Sequence, residues 1–219
     1  MGRSHISAKL TAPAWSAFRR HCHRFLAIGY QEALPRIKND PDEETDITGY
    51  ICEAVDKWFR AHPRESFSFV IQDDPPLRST DRTGKRRPRT DFIICYAAGR
   101  RPEFFFEAKR LHRTKAIASR YTGEAGMGCF ISGRYANHCQ EVAMIGYVQS
   151  DTLEHWQTTL RSKVEENRSQ LNVDSIQKRV SFGDSFSLEW SSFHRRKGHV
   201  AVRMFHILLD CRKSPSSPP

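Results

Sequence analysis

A chain of 219 residues that is 27% charged and 38% hydrophobic, with 14 Phe and 4 Trp, can fold around one sizeable core, which excludes a disordered or low-complexity polymer. Its formal net charge of +10 points to polyanionic partners, nucleic acid ahead of an anionic membrane surface, because each cation beside a phosphate releases condensed counterions. No apolar run approaches the roughly 20 residues of a membrane span and no secretory signal is read at the start, so no membrane partner and a cytoplasmic location are expected.

The six cysteines, Cys22, Cys52, Cys95, Cys129, Cys139 and Cys211, are scattered without CxxC or framework spacing, the pattern of reduced thiols. His21, Cys22 and His23 are adjacent, and chain neighbours seldom converge on one zinc, so no structural zinc is expected.

Residues 1–40 form a basic N-terminal segment in which Trp15, Phe18, Phe25 and Leu26 are spaced for a short amphipathic helix. A single domain is expected over 41–212. It opens on the turn Asn39-Asp40-Pro41-Asp42, after which Ile47, Ile51, Ala54, Val55, Trp58 and Phe59 recur at helical spacing and predict a helix from about Glu43 to Ala61. Phe67, Phe69 and Ile71 alternate as in a half-buried strand that Asp73-Asp74-Pro75-Pro76 ends.

A loop from Arg78 to Arg89 is dense in positive charge. Two strand-like runs follow, Asp91 to Tyr96 and Glu103 to Lys109, joined by a hairpin connection around Gly99. A helix over about 122–136, a buried strand from Val142 to Val148 and a polar helix from Asp151 to about Gln170 come next. A C-terminal strand pair, Phe186–Trp190 and Val200–Leu209, flanks the basic turn His194 to His199, and the tail 213–219 reads as disordered. This order of helices and strands argues for an α/β fold with a central sheet flanked by helices.

Glu107 and Lys109 stand two apart in a strand and share one face with Phe105, while Phe104, Phe106 and Ala108 take the other. Apolar side chains on both sides place this strand inside the sheet. A connection centred near Gly99 sets Asp91 opposite Glu107. Two facing carboxylates repel, and a hard divalent ion held by oxygens turns that repulsion into coordination. Glu44 lies three residues before Ile47 and so on the buried stripe of its helix. The other reading of Glu43 and Glu44, complementing the positive helix N-terminus, stays open.

A helical Glu, an Asp opening a hairpin and Glu-Ala-Lys closing it resemble the PD-(D/E)xK nucleases of the restriction-endonuclease-like superfamily, over roughly Glu43 to Val148. The resemblance implies an αβββαβ core with a central mixed sheet, here followed by the C-terminal strand pair. It implies Mg²⁺, with Mn²⁺ able to substitute, held by Asp91, Glu107 and the backbone carbonyl of Ala108. Lys109, with a depressed pKa, would orient or deprotonate the attacking water, and Glu44 would hold a water or a second metal. Hydrolysis would leave a 5′-phosphate and a 3′-hydroxyl.

Two departures stand out: Thr90 rather than Pro precedes Asp91, and no Gln-x-x-x-Tyr follows Lys109, so the branch is unassigned. The later Ser-Ser-Phe-His-Arg-Arg and Phe-His-Ile-Leu-Leu resemble small bacterial proteins associated with defence against phage.

Phosphate contacts are expected from Arg82, Lys85, Arg86, Arg87 and Arg89 and from Arg195, Arg196 and Lys197, against the alternative of solvated charged loops. Arg120 and Tyr121 are candidates to touch the nucleotide, and His112, His194 and His206 are either supporting groups or structural hydrogen bonders. DNA is favoured over RNA; a helicase, sensor or other defence subunit is a candidate partner, and a homo-oligomer stays open. The rival class is a degenerate, nucleic-acid-binding accessory subunit. A zinc base deaminase is set aside because its Pro-Cys-x-x-Cys is missing.

Overall fold

The run Phe104-Phe105-Phe106 and the run from Val142 to Val148 have no wet side, which suits strands covered on both faces. The computed structural model describes residues 11–38, 42–77, 85, 87–97, 102–113, 117–180 and 186–212. Its strands are β1 (Phe69–Asp73), β2 (Phe92–Tyr96), β3 (Glu103–Leu111), β4 (Glu141–Val148), β5 (Val173–Gln177), β6 (Trp190–His194) and β7 (Val202–Asp210). They form one seven-stranded mixed open sheet in the order β1-β2-β3-β4-β7-β6-β5. The central β3, β4 and β7 run parallel, and the two outer pairs join them antiparallel.

The helices are α1 (Ala12–Ala33), α2 (Glu44–Ala61), α3 (Pro63–Ser66), α4 (Ile117–Thr122), α5 (Met127–Ile131) and α6 (Leu153–Glu166). Alternation along β3 divides the core. Phe104, Phe106 and Ala108 pack with Phe18, Cys22, Phe25 and Leu26 of α1 and Ile47, Ile51 and Val55 of α2. Phe105 and Leu111 pack with Tyr121, Met127, Phe130, Trp156 and Leu160 from α4, α5 and α6. The chain is therefore α/β with helices on both faces of the sheet. Among the described residues, no helix is long and apolar enough to cross a membrane.

Several elements differ from the sequence expectation. The short N-terminal helix is a 22-residue helix, capped by the Thr11 hydroxyl and with Pro in its first turn; Phe18, Cys22 and Leu26 are fully buried. Phe67 is in no strand; it stands 85% exposed after α3, and β1 begins two residues later. The helix read over 122–136 is two short ones, α4 and α5, separated at Gly123 to Gly126. A Cβ on Gly126 would lie 2.2 Å from the Tyr121 carbonyl oxygen, so the break depends on glycine's lack of a side chain.

The second strand pair is shifted: β6 starts at Trp190, where Phe186–Trp190 was expected, and α6 ends at Glu166 rather than near Gln170. The edge strand β5 was not foreseen, since Asp174, Ser175 and Gln177 are all exposed and leave only a faint alternation. The hairpin connection 98–101 and the tail 213–219 lie outside the described residues.

Candidate active site at the end of the third strand

Register brings the first two acids together. Phe92 pairs with Phe106 and Ile93 with Phe105, so the next position along places Asp91 across from Glu107, as a hairpin centred near Gly99 requires. Asp91 itself sits one residue before β2, and β3 fixes it there: its Oδ2 accepts the Ala108 backbone N–H at 2.5 Å. The preceding Thr90, buried, donates its hydroxyl to the Phe106 carbonyl at 2.7 Å. This threonine bond clips the strand entrance that a proline could not hold in the same way.

Lys109 closes the group. Its Nζ donates to Glu44 Oε1 at 2.9 Å, to Glu107 Oε1 at 3.0 Å and to the Ala108 carbonyl at 2.6 Å. Glu44, the first residue of α2, turns its second oxygen to the Arg110 backbone N–H at 3.2 Å. The carboxylate therefore points at the sheet, while the capping of α2 is done by Glu43 with Asp46. Glu44, Asp91, Glu107 and Lys109 are thus gathered at one end of β3. Glu107 is the most enclosed, with a side chain 7% exposed against 28% for Glu44. Its Oε2 is buried and has no hydrogen-bond partner among the described residues.

The electrostatics follow from that enclosure. Burial first, then the Asp91 charge, pushes the Glu107 carboxyl up to about 8 against the pull of Lys109. Burial likewise lifts Asp91 to about 6, opposed by Lys109 and the Ala108 N–H. The depressed Lys109 pKa expected from the sequence is corrected: burial works to lower it, but Glu107, Glu44 and Asp91 together hold it above the usual lysine value. The charge of Glu107 also reaches Cys129, Arg134 and Tyr135 on the α5 side, helping to raise the Cys129 and Tyr135 pKa values that burial already lifts.

Among the described residues no group of three or more His, Cys, Asp or Glu side chains is arranged to hold a metal ion. The smaller set here is two carboxylates, Asp91 and Glu107, with the Ala108 carbonyl. All are hard oxygen donors of the kind Mg²⁺ prefers, and the Glu107 oxygen without a hydrogen-bond partner among the described residues fits a cation.

The expected phosphate contacts divide. The described end of the basic loop leads straight into Asp91: Lys85 is exposed, Arg87 partly buried, and Arg89 exposed and paired with Asp74 at 2.6 Å. Arg82 and Arg86, with Arg78, lie outside the described residues. The second cluster enters β7 opposite the start of β4, at the other end of the parallel strands from Lys109. Arg195 and Lys197 are exposed there, with Arg195 3.6 Å from Asp174. Arg196 is removed from the phosphate contacts. It is buried, and its guanidinium donates to the carbonyls of Val200, Phe130, Ala136, Asn137 and Cys139.

Tyr121 is likewise core rather than nucleotide contact, fully buried with its hydroxyl 3.0 Å from His206 Nδ1, while Arg120 is exposed. His194 and His206 belong to that buried network, and His112 is partly exposed. Sequence reasoning missed Arg110 and Gln149 beside Glu44, and Cys129, Arg134 and Tyr135 beside Glu107. Only Arg110 carried a signal, its place next to Lys109.

Compared with known proteins, the chain matches no family model, no curated protein and no solved structure.

Proposed function

We propose that the chain is a divalent-cation-dependent phosphodiesterase of the PD-(D/E)xK kind acting on nucleic acid, with DNA favoured over RNA. The observation that carries this reading is the Glu107 carboxylate: buried, set across from Asp91, held by Lys109 through one oxygen and, among the described residues, by no hydrogen-bond partner through the other. An enclosed like-charge pair of this kind is unfavourable by itself, and groups so perturbed cluster at functional sites. The run α2 with the single-turn α3, then β1, β2, β3, then α4 and α5, then β4 supports the αβββαβ core.

Asp91, Glu107 and the Ala108 carbonyl would hold Mg²⁺, which when bound supplies charge neutralisation and a water of lowered pKa. Lys109 keeps its proton and acts as a cation, donating to a phosphoryl oxygen as negative charge develops there. Glu44 holds that ammonium in place and can accept a hydrogen bond from the attacking water. Lys85, Arg87 and Arg89 extend positive charge from the Asp91 side along the phosphate backbone.

The test uses the full-length protein with circular and linear, single- and double-stranded DNA, and with RNA, in Mg²⁺ or Mn²⁺. Cleavage that EDTA stops is expected, together with Asp91→Ala and Lys109→Ala variants that bind substrate without cutting. A wild-type protein that leaves every substrate intact in both ions overturns the reading.

A further inference from the structure

Arg110 and Gln149 join the start of α2 to the ends of β3 and β4. Arg110 Nη1 lies 2.7 Å from Glu43 Oε2 and its Nε donates to Gln149 Oε1 at 2.7 Å. Gln149, itself buried, donates through Nε2 to the Asp42 carbonyl at 3.0 Å and through its backbone N–H to the Leu111 carbonyl at 2.8 Å. Partners of opposite polarity fix which way the Gln149 amide faces. Glu43 is 70% exposed, so its ion pair contributes little; the buried amide carries the connection.

This matters for Glu44 because the positive end of its own helix favours a carboxylate that stays beside the first turn. Its Oε1 reaches Lys109 only while that turn is held against the end of β3. We propose that Arg110 and Gln149 are positioning residues that fix the first turn of α2 so that Glu44 holds the Lys109 ammonium; their effect on turnover rests on the phosphodiesterase reading. The side-chain bonds described above run from Arg110 to Glu43 and Gln149 and from Gln149 to the Asp42 carbonyl, around Glu44 rather than at Asp91, Glu107 or Lys109. Their loss acts through Glu44, in the step where charge develops rather than in substrate affinity.

The test compares Gln149→Met, similar in length but without donor or acceptor, and Gln149→Glu, which keeps the Arg110 partner and loses the donor to Asp42. Hydrogen exchange reports on the Arg110 amide, which donates to Glu44 Oε2. Exchange there and at Ile47 should quicken in Gln149→Met, less in Gln149→Glu, and stay unchanged along β7. Turnover should show kcat lowered about 10- to 100-fold in Gln149→Met, with KM within about twofold and partial recovery in Gln149→Glu. Unchanged exchange at Arg110 overturns the proposal whether or not the wild type cuts nucleic acid. Faster exchange with full kcat, or with a raised KM alone, overturns the positioning role in turnover. A wild type that cuts nothing, with faster exchange in Gln149→Met, sinks the phosphodiesterase reading and leaves the clamp on Glu44 supported.

Discussion

Lys109 Nζ lies 2.9 Å from Glu44 Oε1, a bond between the first turn of α2 and the end of β3 across 65 positions of sequence. Through it one ammonium serves Glu44 and Glu107, with Asp91 set against the same strand. If all three carboxylates ionise, that one ammonium leaves two negative charges, the amount a single divalent cation carries.

The first prediction concerns that balance. Lys109→Met removes the ammonium and leaves the three acids to repel one another. Activity should fall at least 100-fold, the order expected when a positioned proton donor or charge partner is lost. At pH 8 without divalent ions the variant should melt below the wild type, and millimolar Mg²⁺ should raise its Tm more than it raises the wild type's. Thermal melts with and without Mg²⁺ decide it; equal Mg²⁺ responses would mean the ion does not take up the acids' charge.

The second prediction is the pH dependence of the cation-free protein. Glu107 titrates at about 8 in the fold against the ordinary 4.5, and Asp91 at about 6 against 3.8. A carboxyl whose folded pKa is raised binds its proton more tightly in the native state. Its contribution is fully present below the unfolded value and is lost as pH rises through the folded one. Between about pH 6.5, above the range in which the buried histidines titrate, and 8.5 the EDTA-treated protein should therefore lose Tm, by about 2–4 °C for each kcal/mol. Saturating Mg²⁺, or Glu107→Gln, should flatten the decline. A Tm flat in EDTA over this range would contradict the site's electrostatics.

The central strands were legible because their signal is strong and local. Asp91 opposite Glu107 followed from a hairpin centre, and the two faces of β3 followed from alternation alone. Other features depend on contacts that no spacing encodes. Glu44 could be placed on a buried stripe, but its bond to Lys109 depends on how α2 meets β3. Lys109's raised rather than lowered pKa is a sum over three acids, which only their distances decide. The turn 194–199 looked like a uniform basic patch because a buried arginine bonded to five carbonyls and an exposed arginine spell the same letter.

The third prediction separates those arginines. Arg196→Met leaves the carbonyls of Val200, Phe130, Ala136, Asn137 and Cys139 without this donor. Unmet buried polar groups cost about 1–3 kcal/mol each where water cannot replace the partner. The variant should lose at least about 3 kcal/mol in urea unfolding. Arg195→Ala and Lys197→Ala, both exposed, should stay within about 0.5 kcal/mol of the wild type. An Arg196→Met protein of normal stability but weakened nucleic-acid binding would return this residue to the phosphate contacts.

The fourth prediction rests on the buried chain through Tyr121, His206, Ser192 and His194. The Leu171 carbonyl, 2.8 Å from His194 Nδ1, can only accept, so Nδ1 carries the proton and Nε2 must accept from the Ser192 hydroxyl at 2.6 Å. Ser192 Oγ then accepts from His206 Nε2–H at 2.8 Å, and His206 Nδ1 accepts from the Tyr121 hydroxyl at 3.0 Å. With both rings neutral every proton has one place; a further proton on His194 faces the Ser192 hydroxyl hydrogen, and one on His206 turns the Tyr121 hydroxyl to its longer bond with the Met144 carbonyl at 3.5 Å. Burial agrees, lowering His194 to about 4 and His206 well below its ordinary 6.5. For a histidine the lowered folded pKa means stability that is complete above 6.5 and lost as pH falls toward 4, about 3 kcal/mol for His194 alone. Because Glu107 and Asp91 slope the other way over part of this range, the measurement belongs in a background carrying both Glu107→Gln and Asp91→Asn. There urea unfolding should show stability falling between pH 7 and 5. Adding Ser192→Ala with His194→Leu should lower stability at pH 7 and shrink that fall, since one titrating ring is gone. If the fall is undiminished, the acid sensitivity lies elsewhere and the proton assignment along this chain is wrong.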